Sequence, residues 1–200
     1  MFDWKEILDF WFGELDENGL PDSDHRNKWF RSDRKFDQEI RQRFLSMVLF
    51  ASEQGLDHWR REAGGTLAEI ILLDQFSRNI FRGSAMAFDQ DRQARKLCRE
   101  AMQKGQDMML APVHRAFLYM PLQHSELRDD QDVSVECCEQ LARSTQGILA
   151  DFMGSFLQSA RDHRAIIQQF GRFPHRNKAL GRASTADEEA YLEGGRRFGQ

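Results

Sequence analysis

Residues 66–83 read TLAEIILLDQFSRNIFRG. The first half, through Ile70-Ile71-Leu72-Leu73, is apolar on most sides, as befits a helix enclosed by others rather than one lying on a surface. Thr66 and Glu69 have the spacing of a capping box, so a central helix is expected from Thr66 to about Ile80. The second half turns polar without losing helical spacing. Asp74 and Arg78 lie four apart, as do Gln75 and Asn79, and Arg78 and Arg82. Polar side chains that prolong a central helix must find partners inside the protein. An Asp74–Arg78 pair locking the helix end and a pocket rim made of Arg78, Asn79 and Arg82 are both open at this point.

Outward from this segment the pattern stays helical, with only four Val and three Thr in the chain. Asp3 and Glu6 form another capping box, ahead of an apolar face of Trp4, Ile7, Leu8 and Trp11 that stops at Gly13. A loop follows through Pro21. Further stripes run over Phe36–Ala51, Ala94–Ala101, Val133–Leu141 and Leu149–Ile167, with a short turn around Leu56 to Arg61. Pro112 opens a segment that Pro121 is expected to interrupt after Met120. Thr185 and Glu188 cap a terminal helix through Leu192. The expectation is one all-α domain, residues 1–200, of about eight substantial helices stacked as antiparallel hairpins.

Two polar clusters accompany Asp74. In Tyr119-Met120-Pro121-Leu122-Gln123-His124-Ser125-Glu126, the imidazole of His124 and the carboxylate of Glu126 are candidate acid–base groups, while Ser125 lacks the GxSxG setting of a nucleophile. In Phe170–Arg182, FGRFPHRNKALGR, the residues Arg172, His175, Arg176, Asn177 and Arg182 crowd among turn formers. Arg161 to Arg182 carries six Lys or Arg against Asp162 alone, the best anion-attracting stretch in a chain of net charge -4. His163, on the apolar face of its helix, reads as a satisfied core histidine. The DQFSRN helix end and the GRFPHRN turn are expected to meet, with Arg172 or Arg176 as a second cation for Asp74.

The totals narrow the classes. The 22 Arg against 6 Lys favour planar carboxylate or phosphate contacts, and the acidic balance argues against general nucleic-acid binding. No apolar run approaches the roughly 20 residues of a membrane helix, and the N-terminus lacks a secretory pattern, so a cytoplasmic protein is expected. Cys98, Cys137 and Cys138 suit buried thiols, not a disulfide framework. No HExxH or CxxC supports a metal, and no cofactor is indicated.

The motifs ILLDQFSRNIFRG, YMPLQHSE and FGRFPHRNKALGRASTADE, with DFWFG and DHW, resemble the bacterial family called domain of unknown function 924, from about Ile7 to Leu192. The resemblance implies a tetratricopeptide-like helical-hairpin fold and no established activity, cofactor or catalytic residue. Ser77 departs from the family's DQFPRN pattern and is expected to loosen the local geometry. The leading expectation is a polar pocket for a small anionic ligand or an anionic group of a partner. Asp74, Arg78, Asn79, Arg82, Arg172, Arg176, Asn177 and Arg182 would be its binding residues. Two alternatives stand beside it: a scaffold for a protein partner, and an enzyme using His124 or His175 as base with Glu126 or Asp74 as orienting carboxylate. The oligomeric state is not legible.

Overall fold

The computed structural model describes residues 2–194, which contain helices and no strand. Helix α1 (Trp4–Phe12) starts at Asp3, whose carboxylate accepts from the Lys5 N–H. Helix α2 (Ser23–Trp29) starts at Asp22 in the same way. The sequence pattern does not mark it, because Trp29 is its only buried residue. Helix α3 (Arg34–Ser52) carries the predicted stripe from Phe36 to Ala51.

Helix α4 is continuous through Ala63–Ile70, Ile71–Phe76 and Ser77–Ile80. It begins three residues before the predicted Thr66 cap. Thr66 lies within the helix, its hydroxyl donating to the Glu62 carbonyl at 3.2 Å. Glu69 is fully buried and forms a bidentate pair with Arg60 at 2.7 and 2.8 Å, so it has no cap to return to. Gly65 permits the early start: a Cβ there would meet the Trp59 carbonyl oxygen at 2.3 Å.

Helices α5 (Asp91–Gln103), α6 (Pro112–Gln123), α7 (Arg128–Ser144), α8 (Gly147–Phe170) and α9 (Ala186–Gly194) follow. Pro121 does not end α6 as expected. Proline removes only its own N–H and crowds one carbonyl, and α6 is buried continuously from Ala116 to Gln123, so packing holds the last turn. The terminal capping box forms reciprocally: Glu188 N–H donates to Thr185 Oγ1 at 3.2 Å and Thr185 N–H to Glu188 Oε2 at 2.8 Å.

Successive helices pack on one another from α3 to α8, with short links at Thr145–Gln146 and His124–Leu127 that make α6, α7 and α8 antiparallel neighbours. One apolar core threads α1 through α8, centred on Trp11, Phe76 and Phe117. Trp29 closes it, with its ring 4.6 Å from Phe117 and its indole N–H donating to the Trp11 carbonyl at 2.7 Å. Ile166, Ile167 and Phe173 form a separate small cluster beneath the Arg-rich turn. The turn departs α8 at Gly171, which takes the left-handed conformation (φ +70°) that a side chain would resist. All three cysteines are buried thiols.

Candidate functional site

The middle of α4 is a π-helical turn, Ile71–Phe76, set between two α-helical stretches. Such turns widen a helix locally and recur at functional sites. The Ser77 N–H donates to the Leu72 carbonyl, and the Ser77 hydroxyl donates to the same oxygen at 3.2 Å. Ser77 therefore ties the wide turn together, the reverse of the loosening expected from the sequence. The turn carries Asp74 and Gln75.

Asp74 is 1% exposed. Its carboxylate accepts from Gln75 Nε2, from Arg78 Nη2 at 3.2 Å, and from His124 Nδ1 at 2.8 and 2.9 Å. Burial alone would raise its pKa. The attraction of His124 and Arg78 outweighs that and holds the group below the usual carboxylate range, so it stays ionised. His124, at the end of α6, is lowered by burial more than Asp74 raises it, so its imidazole is neutral. A neutral ring that gives its Nδ1 proton to a carboxylate carries its lone pair on Nε2.

Around this pair the polar residues form a chain of alternating charge. Arg78 Nη2 also donates to Asp91 Oδ1 at 2.9 Å. Arg176 Nη1 reaches Asp91 Oδ2 at 3.2 Å, and its Nη2 donates to the His124 carbonyl at 2.8 Å. The DQFSRN helix end and the GRFPHRN turn thus meet, through Asp91 rather than by direct contact with Asp74. Phe88 lies under both guanidinium groups, 5.2 Å from Arg78 and 4.7 Å from Arg176. Burial and the nearby Arg78 bring Arg176 down to about 10, still cationic at neutral pH.

The remaining motif residues are committed to structure. Arg82 forms a bidentate pair with Asp37 at 2.7 and 2.8 Å, and Asn79 donates to the same carboxylate at 2.8 Å. Glu126 accepts from Arg182 at 2.8 and 3.0 Å and from the Phe173 N–H at 2.8 Å. Arg172 pairs with Glu188 at 2.6 and 2.7 Å, not with Asp74, while Asn177 bridges Ser184, Glu188 and Arg182. Arg182 and Arg172 thereby pin the turn and α9. His175 sits beside Phe173 and is lowered to about 3, chiefly by burial. Among the described residues no group of three or more His, Cys, Asp or Glu is placed to hold a metal ion.

One cavity touches this network. It has a volume of about 450 Å³ between α4, α6, α8 and the end of α2. His124, Gln75, Arg78, Asn79 and Arg82 line one side, and Trp29, Phe30, Met120 and Phe156 another. Of the residues singled out from sequence, Arg78, Asn79, Arg82 and His124 reach it, and Asp74 lies directly behind His124. Glu126, Arg172, His175, Arg176, Asn177 and Arg182 do not line it. His163 is buried and hydrogen-bonded, as expected of a core histidine, and it also lines the cavity. Its Nδ1 donates to the Ser159 carbonyl at 2.8 Å, and burial lowers it to about 3. Its ring centroid is 6.1 Å from that of His124. Sequence reasoning placed Gln75 and Gln123 in the polar clusters without giving either a role, and missed the Trp29-Phe30 wall. It also missed Asp37 and Asp91, which supply the carboxylates.

A larger, more open groove of about 1040 Å³ runs between α5 and the start of α7 and contains none of the motif residues. Its buried acid, Asp130, is already held by Arg95, Arg99 and the Ser125 hydroxyl. The less open cavity, with convergent polar groups and a perturbed acid–base pair, is the stronger candidate.

The profile of a family described as bacterial protein of unknown function (DUF924) matches residues 7–196. A solved structure of a protein of unknown function from Agrobacterium tumefaciens is 35% identical, superposes with a TM-score of 0.81, and covers 96% of this chain and 97% of its own. No protein of curated function matches. No helix among the described residues is long and apolar enough to cross a membrane.

Proposed function

Since the chain belongs to the DUF924 family of bacterial proteins of unknown function, which carries no assigned chemistry, we propose a function from the site: general acid–base catalysis on a small molecule bound in the cavity, with His124 as base and Asp74 as its orienting carboxylate. The observation that carries this reading is the Asp74–His124 contact at 2.8 and 2.9 Å, made on the side of the ring that leaves Nε2 as the basic atom of a cavity-lining residue. A base within reach of a substrate O–H, or of water, accepts that proton while the ionised Asp74 stabilises the imidazolium. The π-turn fixes Asp74 from behind and the end of α6 fixes His124, so the pair is preorganised on rigid elements.

Arg78 would complete the chemistry. It lines the cavity, it is cationic, and its buried Nε–H has no acceptor among the described residues. An orphaned buried donor beside a cavity suits negative charge that develops on a substrate oxygen as the proton leaves. A cluster of free arginines attracting anions has less support, because Arg78, Arg82, Arg172, Arg176 and Arg182 each hold a carboxylate already.

The test needs no prior substrate. The protein is incubated with a protein-free metabolite extract, and compounds consumed are found by mass spectrometry. Wild type should consume a compound that His124→Gln, folded to the same melting temperature, leaves untouched. Equal consumption by the two proteins, or none by either, would remove the reading.

A further inference from the structure

Two arginines outside the motifs differ from those within them. Arg26, in α2, and Arg31, just past its end, flank Phe30, and among the described residues neither contacts a carboxylate. The acids that feel them, Asp16 and Asp33, do so through space and not by contact. Arg31 lines the His124 cavity. Arg26 lines a second cavity, of about 420 Å³, together with Ser23 and Asn27. The two cavities share Trp29, Phe30 and Ser155, so they adjoin at the mouth of the site.

The wall between them is aromatic. Phe30 is 61% exposed although its ring stacks on Phe117 at 6.3 Å and meets Phe156 edge-on at 6.1 Å. Arg26 lies over Phe152 at 5.5 Å, and its Nε makes only a 3.4 Å contact with the Asp22 carbonyl. A molecule reaching from His124 to the surface would therefore cross apolar rings and end beside two guanidinium groups that make no contact ion pair among the described residues. The inner polar cluster has its charges balanced in pairs, and Asp162, the carboxylate that also lines the His124 cavity, accepts from Gln158 at 2.8 Å, whereas Arg26 and Arg31 make no contact ion pair among the described residues.

We infer that the substrate is an elongated anion. Its aryl or acyl body lies against Trp29, Phe30 and Phe156, its reactive O–H faces His124, and its carboxylate or phosphate is held at the mouth by Arg31 and Arg26. The reactive end rests on the acid–base reading above; the anionic tail does not.

Chemical-shift titration of the labelled protein with 3-phenylpropanoate, phenyl phosphate and the neutral 3-phenylpropanamide tests the tail. At least one anion should bind tenfold or more tightly than the amide and shift the amides of residues 29–31. The tighter anion identifies the group recognised. The double variant Arg26→Gln/Arg31→Gln should bring the anions down to the amide's affinity without weakening the amide, and His124→Gln should keep the preference. Equal binding of all three compounds, no saturable shift near Phe30, or a preference intact in the double variant would overturn the inference. A His124→Gln protein as active as wild type on the extract, with the anion preference intact, would sink the acid–base reading alone.

Discussion

Replacing Asp74 with Ala removes the residue on which the inner network converges. The change takes one carboxylate from Arg78 and leaves the Nδ1–H of His124 facing a void. Truncating one partner of a buried ion pair costs roughly 3–5 kcal/mol. Arg78 keeps Asp91 at 2.9 Å, which places the expected loss near the lower end, about 3 kcal/mol, with the stranded imidazole donor as part of it. For a chain of this size that corresponds to a fall of about 6–12 °C in melting temperature. Urea denaturation at pH 7 reads the value. The pH dependence supplies an independent check. The folded pKa of Asp74 is depressed, so its stabilisation is complete above the unfolded carboxylate range and fades as pH falls through the lower folded value. Wild type and Asp74→Ala should therefore draw together only in strong acid. A loss under about 0.5 kcal/mol at pH 7, the range of ordinary surface changes, would refute the network as drawn.

Acid should weaken the fold earlier by a different route. His114, His163 and His175 are lowered by burial to about 4, 3 and 3, so below pH 6.5 the unfolded chain takes up protons that the folded one refuses; stability should fall by roughly 1–2 kcal/mol per histidine between pH 7 and 5. His163→Gln should flatten that slope in denaturant titrations, and an unchanged slope would contradict the assignment. Gly65→Ala should destabilise by roughly 1–3 kcal/mol by overpacking against the Trp59 carbonyl, measured by the urea midpoint, whereas a neutral change would place the clash elsewhere. Arg172→Gln should speed amide hydrogen exchange across residues 186–194 while leaving α4 and α6 protected; uniform protection would show that α9 is held by other contacts.

The sequence exposes the parts of this design that depend on local spacing. The stripes of α3 and α8, the Asp74–Arg78 pair at four residues, and the Thr185–Glu188 box are short-range patterns, and each is present as read. The partners of the polar motif residues are remote. Asp37 meets Arg82 across 45 residues and Asp91 meets Arg176 across 85, so an acid on a helix face looks like any solvated charge until the helices stack. The π-turn is equally hidden, because the run Ile71–Phe76 has the composition of an ordinary helix and only the bonding to Leu72 reveals the extra residue. Thr66 misled because Glu69, three residues on, completes a capping box in spacing while Arg60 claims its carboxylate. The motif arginines looked like an anion site for the same reason: their carboxylates lie elsewhere in the chain, whereas Arg26 and Arg31 at the cavity walls, which belong to no motif, make no ion pair among the described residues.

The claim that Asp74 turns His124 into a base facing the cavity is tested most directly by long-range 15N–1H correlation of the imidazole nitrogens at pH 6. The account predicts a neutral His124 with its proton on Nδ1 and a bare Nε2, and predicts that Asp74→Asn disturbs that state. A proton on Nε2, or an imidazolium at that pH, would contradict it.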